Sequence, residues 1–408
     1  MVQRIDLLEI LQKAKEIGYF DRADFSGLTL SHEEFKELLS LLRKENIPFG
    51  DSVSQLKCEE ALKIINSLRM GIPPQENITI FSVGRKNLID KLSKDLKTVA
   101  RGCSQVRFLN ADYGNGKTHS LYLLRDIAFK EGFVVSIVTL SQKSCPISDF
   151  MKVYNRIMWN LRTQDERNKR AIENVLDRWL QAICEKGEKR ARQIIKELPD
   201  DLKCALHAYY ESVSPVRPNE EKRLLVLNYL SGEKGVYKRD LRSIGINNRI
   251  DSSNALIMLG HMASLFRNLN YQGVCILFDE ADPIHSFSRF EDQDRAYRNL
   301  FQIIQQSQIA PHCYFLYATT PSFFDNYNNY WTESRITNED IFELEKLDPS
   351  ELQSLSLKLC KIYSIYKRSK VPENIEQMLR KIASSSSFSE TLGNFVRRCI
   401  AILDEKMK

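Results

Sequence analysis

The stretch Val106-Arg-Phe-Leu-Asn-Ala111-Asp-Tyr-Gly114-Asn-Gly116-Lys117-Thr118 sets the architecture of this chain. A short, mostly apolar run, 106–109, enters Gly-x-Gly-Lys-Thr, and residues 120–130 continue with helical periodicity. A loop of this composition between a strand and a helix binds phosphate. Glycines let consecutive backbone N–H groups curl around phosphate oxygens at a helix N-terminus, Lys117 reaches the β- and γ-phosphates, and the Thr118 hydroxyl ligates Mg2+. The full motif has Gly at its first position, where Ala111 stands; a methyl is tolerated there if φ stays negative. The competing reading is a glycine turn with a chance lysine, and the strand–loop–helix order argues against it.

Working outward, Phe81-Ser-Val-Gly84-Arg85 precedes an amphipathic helix over 86–99, which places Gly84 and Arg85 to pack backbone against adenine. Downstream, the β-branched run 133–140 reads as a buried parallel strand, completing a βαβ unit. Helical periodicity and charge dominate about 150–265, with Pro199, Pro215 and Pro218 as breakers, so an all-helical insertion at about 160–255 is expected inside the α/β core. Strands follow at 274–278, 314–318 and 341–344, and then 349–408 is all helical. The expected class is therefore α/β: a parallel sheet flanked by helices with a helical insertion and an all-helical C-terminal lid. The expected domains are a small helical N-terminal module over 1–58, with stripes at Leu7, Leu8, Ile10, Leu11 and at Phe35, Leu38, Leu39, a core over 59–347 and a lid over 348–408. A helix over 59–70 ends where Pro73 and Pro74 stop it.

The run Val274-Cys-Ile-Leu-Phe278 ends in Asp279-Glu280, a buried strand that delivers paired acids to its C-terminal edge. In a nucleotide hydrolase Asp279 orients the Mg2+ shell and Glu280 polarises the attacking water as general base. The next strand ends in Thr319-Thr320, hydroxyls placed to sense the γ-phosphate, or else to cap the segment before Pro321. Arg335 stands where an arginine projects across a subunit interface, a role worth ~10³ or more in rate where measured; the alternative is a solvated side chain. On the last helix Arg397 reaches back to phosphate or makes helix-face salt bridges.

Forty-three per cent hydrophobic content in 408 residues supports sizeable cores. No apolar run approaches a bilayer span and the first residues lack a signal-peptide core, so the expected location is cytoplasmic without a membrane partner. Nine cysteines without CxxC pairs suit reduced thiols better than disulfides or zinc. The net charge of +6 permits nucleic-acid contact without demanding it. Basic residues with interleaved aromatics recur in Lys234, Tyr237, Lys238, Arg239, Arg242 and Arg249 and again over 289–298, either able to track a phosphate backbone; Asp240, Glu291, Asp292 and Asp294 offer ion pairs instead.

With phosphate loop, Asp-Glu strand, Thr-Thr strand and helical C-terminus in this order, the chain resembles an AAA+ P-loop ATPase of the origin-recognition-like branch. The segments Leu-Arg-Met-Gly-Ile-Pro-Pro74, Phe81-Ser-Val-Gly-Arg85, Asp112-Tyr113-Gly114-Asn115-Gly116-Lys117-Thr118-His119, Asp279-Glu-Ala281 and Ala318-Thr-Thr-Pro-Ser-Phe-Phe324 narrow the likeness. They resemble the ATP-binding proteins of bacterial BREX phage-defence systems, of the BrxD type, over about 59–408. The resemblance implies an AAA+ fold, ATP bound at 112–119 and hydrolysed, double-stranded DNA as a partner, and antiviral defence beside components such as a helicase and a methyltransferase. Oligomers assembled on DNA are the leading expectation. An ATP-bound signalling scaffold with slow hydrolysis, or a replication initiator or transposition regulator on the same fold, are the alternatives.

Overall fold

A computed structural model describes residues 11, 37–38, 40–41, 53, 56–141, 143–165, 171–214, 217–279, 289–305, 310–325, 336–385 and 390–407. The N-terminal module expected over 1–58 lies almost wholly outside these residues. The chain forms two compact units, one from residues up to Lys86 with Gly114–His119 and Glu345–Lys408, the other from Asn87–Tyr113 and Ser120–Leu344.

The larger unit holds a sheet of five parallel strands: β1 (Gln105–Asn110), β2 (Val134–Thr139), β3 (Val274–Asp279), β4 (Cys313–Thr319) and β5 (Ile341–Glu343), in the order β2-β3-β4-β1-β5. Every residue of β3 and β4 is buried, as it must be when helices cover both faces of a parallel sheet. The two-residue alternation divides them cleanly. Ile276, Phe278, Phe315 and Tyr317 join the core shared with the inserted helices, whereas Cys275, Leu277, Tyr314 and Leu316 join the core formed with Leu88, Leu92, Leu96, Leu121, Leu124 and Phe129. The helices of this second face are Lys86–Ala100 and Lys117–Lys130. The latter starts three residues before the periodicity of the sequence suggests, because the turn at Gly116 (φ +91°) aims the chain into helical geometry at once.

Between β2 and β3 the described residues form six helices, Phe150–Asn160, Ala171–Ile195, Asp200–Ser212, Glu220–Leu230, Lys238–Ser243 and Ala255–Asn268. Gly187, at φ +75°, breaks the long second helix. The outer edge of β2 is covered rather than open: Val135 and Arg162 exchange both backbone hydrogen bonds, at 2.9 and 2.8 Å. At the other margin Arg107 of β1 is held by Asp95 at 2.7 Å and by Asp340.

The smaller unit is built from both ends of the described chain. Its long helices among the described residues are α1 (Cys58–Arg69), α2 (Pro349–Lys367), α3 (Glu373–Ser385) and α4 (Leu392–Lys406), with the single turn Ile78–Phe81 besides. Ala61, Ile64, Ile65 and Leu68 give α1 one buried face. Arg69 at its end pairs with Asp404 at 2.5 Å and lies over the Tyr366 ring, and Tyr363 donates to the same carboxylate at 2.7 Å. The α2 start is written in Asp348-Pro-Ser-Glu351: Asp348 accepts from Glu351 N–H at 2.8 Å while Glu351 accepts from Asp348 N–H at 2.9 Å.

Candidate nucleotide-binding site

The phosphate loop belongs to the smaller unit. Gly114 and Gly116 have φ +78° and +91°, conformations that L side chains avoid, and the curl they make turns the backbone into the first turn of Lys117–Lys130. Asn115 and Lys117 are buried, Lys117 at 9% exposure, and Thr118 is half-buried. The carbonyl of Gly114 accepts from the N–H of Gly393 at 2.9 Å. A Cβ on Gly114 would lie 3.0 Å from Thr391, and one on Gly116 would lie 3.3 Å from Leu392. The loop is therefore closed on one side by the N-terminus of α4, where Thr391 caps the helix through Asn394 N–H at 3.3 Å.

Arg85 forms a second wall. It is buried, its Nη1 donates to the carbonyl of Glu345 at 2.9 Å, and its Nη2 lies 3.8 Å from the position a Gly116 Cβ would take. Burial lowers its pKa against the opposing pull of the Glu351 and Glu345 charges. Gly84, at φ +66°, has no room for a side chain, since a Cβ would collide with the Glu351 carboxylate and Leu347. Behind the loop, Ser82 donates its hydroxyl to Ile78 O at 2.7 Å, so its oxygen accepts from Nε2–H of His119 at 2.9 Å. The imidazole also meets Phe81 edge to face at 5.3 Å. Desolvation, then the Arg85 charge, pushes its pKa down to about 3, so the ring is neutral. Lys358, buried on α2, donates to Ser82 O at 3.4 Å. Arg397 is exposed and lies against Gly71, whose Cβ position is 2.7 Å from its Nε.

In the larger unit the strands place polar residues along the C-terminal edge of the sheet. Thr319 is opposite Asn110, and Asp279 opposite Thr139. Asp112 and Tyr113, which follow β1, are exposed. Asp279, Thr319 and Thr320 are buried; Thr320 shares a hydrogen bond with Ser322 at 2.8 Å. The buried Thr319 Oγ1, Asn110 Oδ1 and Ser120 Oγ have no hydrogen-bond partner among the described residues, an arrangement that native interiors avoid unless a ligand or water completes it. Glu280 and Arg335 lie outside the described residues.

Of the basic segments, Lys238, Arg239 and Arg242 are all exposed on the helix Lys238–Ser243, with Arg239 3.5 Å from Asp240. In the second segment Arg298 pairs with Asp294 at 2.8 Å and Arg295 with Asp292 at 3.8 Å, the local pairing that its acids suggested.

Glu345, Glu351, Thr391, Leu392 and Gly393 are the site residues that sequence reasoning passed over. The capping box at Asp348 marks the helix that carries Glu351, but nothing local ties residues 391–393 to a loop at 114.

Comparison with protein families gives a match to the family described as BREX system ATP-binding protein BrxC/D over residues 56–407. No curated protein and no solved structure matches the chain.

Proposed function

Because the chain belongs to the BrxC/D family of BREX system ATP-binding proteins, we propose that it is an AAA+ ATPase of phage defence, one that assembles into oligomers and acts on double-stranded DNA. The observation that carries this reading is the loop 114–118: two left-handed glycines running into a helix whose first residue is a buried lysine. A triphosphate with its metal is the ligand this reading assigns to the loop. Thr118 and Asp279 are hard oxygen donors suited to Mg2+, which when bound neutralises charge on the phosphate oxygens. Lys117 holds the β- and γ-phosphates, Glu280 takes the proton of the attacking water, and Arg335 serves a neighbouring subunit's nucleotide. The position of β4 between β1 and β3 supports a sensing role for Thr319 and Thr320, since their strand end lies between the strand entering the phosphate loop and the one ending in Asp279.

No helix of the described residues is long and apolar enough to cross a membrane. The reading puts the chain in the cytoplasm beside helicase and methyltransferase components. Lys238, Arg239 and Arg242 supply phosphate contacts to DNA. Phosphate release by the full chain, with and without duplex DNA, tests the reading. Turnover that DNA accelerates supports it, and tight ATP binding without turnover in either condition leaves a nucleotide-bound scaffold.

A further inference from the structure

We infer that the basic turn centred on Tyr237 recognises unpaired bases, so that the nucleic-acid contact proposed above favours single-stranded over double-stranded DNA. The inference rests on that contact being real. The segment is built as a rigid presenter. Val236, Leu241, Ile246 and Ile250 anchor it in the core of the larger unit. The Asp201 carboxylate accepts from the backbone N–H groups of Asn247 and Asn248 at 2.8 and 3.1 Å and from the Asn248 amide at 2.8 Å. Arg249 donates to Lys234 O at 3.4 Å, tying the two ends of the turn together.

On this scaffold Lys234, Lys238, Arg239, Arg242 and Arg249 are all exposed. The acids nearby are mostly committed elsewhere. Glu233 accepts from the Trp159 indole, and Asp251, which feels the Lys238 charge, accepts from Ser253 N–H at 2.9 Å; only Asp240 approaches a cation of the set. Among the described residues no carboxylate comes within ion-pair distance of Lys234, Lys238, Arg242 or Arg249.

Tyr237 stands between Lys234 and Lys238 in the sequence, with 69% of its surface exposed and no ring packed on it among the described residues. A charged track beside an unstacked aromatic ring is the pairing by which proteins hold single strands: phosphates take the cations, and a base stacks on the ring. Bases inside a duplex are already stacked on one another and offer Tyr237 no free face, so cations alone would leave the ring without use.

Fluorescence anisotropy of the full chain tests this, using a labelled oligothymidylate and a blunt duplex of equal length. The wild type is expected to prefer the single strand, Tyr237→Ala to weaken that complex roughly tenfold or more while leaving the duplex complex unchanged, and Tyr237→Phe to retain the preference. Charge reversal at Lys238, Arg239 and Arg242 should flatten the salt dependence for both forms. Equal affinity for both forms, or equal losses for both in Tyr237→Ala, overturns the inference and leaves a phosphate-only contact standing. Absence of binding to either form at low salt removes the underlying DNA contact itself.

Discussion

The backbone N–H of Gly393 donates to the carbonyl of Gly114 at 2.9 Å, so the first turn of the last helix is fastened to the phosphate loop by main chain rather than by a side chain. Gly393→Pro deletes this donor at a first-turn position where proline is otherwise accepted, and should cost about 0.5–1.5 kcal/mol. Gly393→Ala keeps the donor, meets only ordinary contact with Gly114 O at 3.5 Å, and should be neutral or up to ~1 kcal/mol stabilising. Urea unfolding of the two variants separates these outcomes; equal stability would mean that the bond contributes nothing.

On the proposed reading Lys117→Ala removes the cation that holds the β/γ-phosphates and should abolish ATP binding. The wild type should melt at a higher temperature in saturating ATP, and the variant should show no such rise. A near-wild-type affinity by isothermal titration would refute the role of the loop.

Glu280→Gln preserves shape and hydrogen bonding but cannot act as a base, so nucleotide affinity should persist while turnover stops. Steady-state hydrolysis at the wild-type rate would move the general base elsewhere.

If Arg335 completes a neighbour's site, hydrolysis per subunit should rise with protein concentration, and Arg335→Ala should abolish that rise without loss of ATP binding. Specific activity that stays flat across the assembly range would exclude the role.

His119 titrates near 6.5 when unfolded and about 3 when folded, so between these values the unfolded chain binds a proton that the folded chain does not. Stability should therefore fall as pH drops from about 6.5 towards 3. His119→Gln should flatten this part of the profile, as measured by urea unfolding at a series of pH values. An unchanged slope would show that other groups carry it.

The parallel strands were legible because burial on both faces writes itself as apolar runs: 274–278 and 314–318 each extend by only a residue or two in the structure, to Val274–Asp279 and Cys313–Thr319. Glycine spacing made the turn at Gly114 and Gly116 into the helix from Lys117 equally readable. Arg85 was legible only as a neighbour of adenine, because the sequence does not show that Glu345 and Glu351 would come to surround it. His119 read as part of a motif, since its link to Ser82 depends on how residues 37 positions apart meet. The contact of 391–393 with the loop leaves no periodic trace, being made through a backbone N–H that every residue except proline possesses.

Arg69 and Asp404, the pair that joins α1 to α4, are separated by 335 residues. During translation at roughly 5–20 residues per second, α1 waits on the order of twenty seconds to a minute for that partner. Its buried face of Ala61, Ile64, Ile65 and Leu68 meets α2 and α4 only once those helices have been made. A ribosome stalled before residue 349 would thus carry α1 without the two later helices it packs against. The clasp on the phosphate loop closes only after the final helix has cleared the exit tunnel.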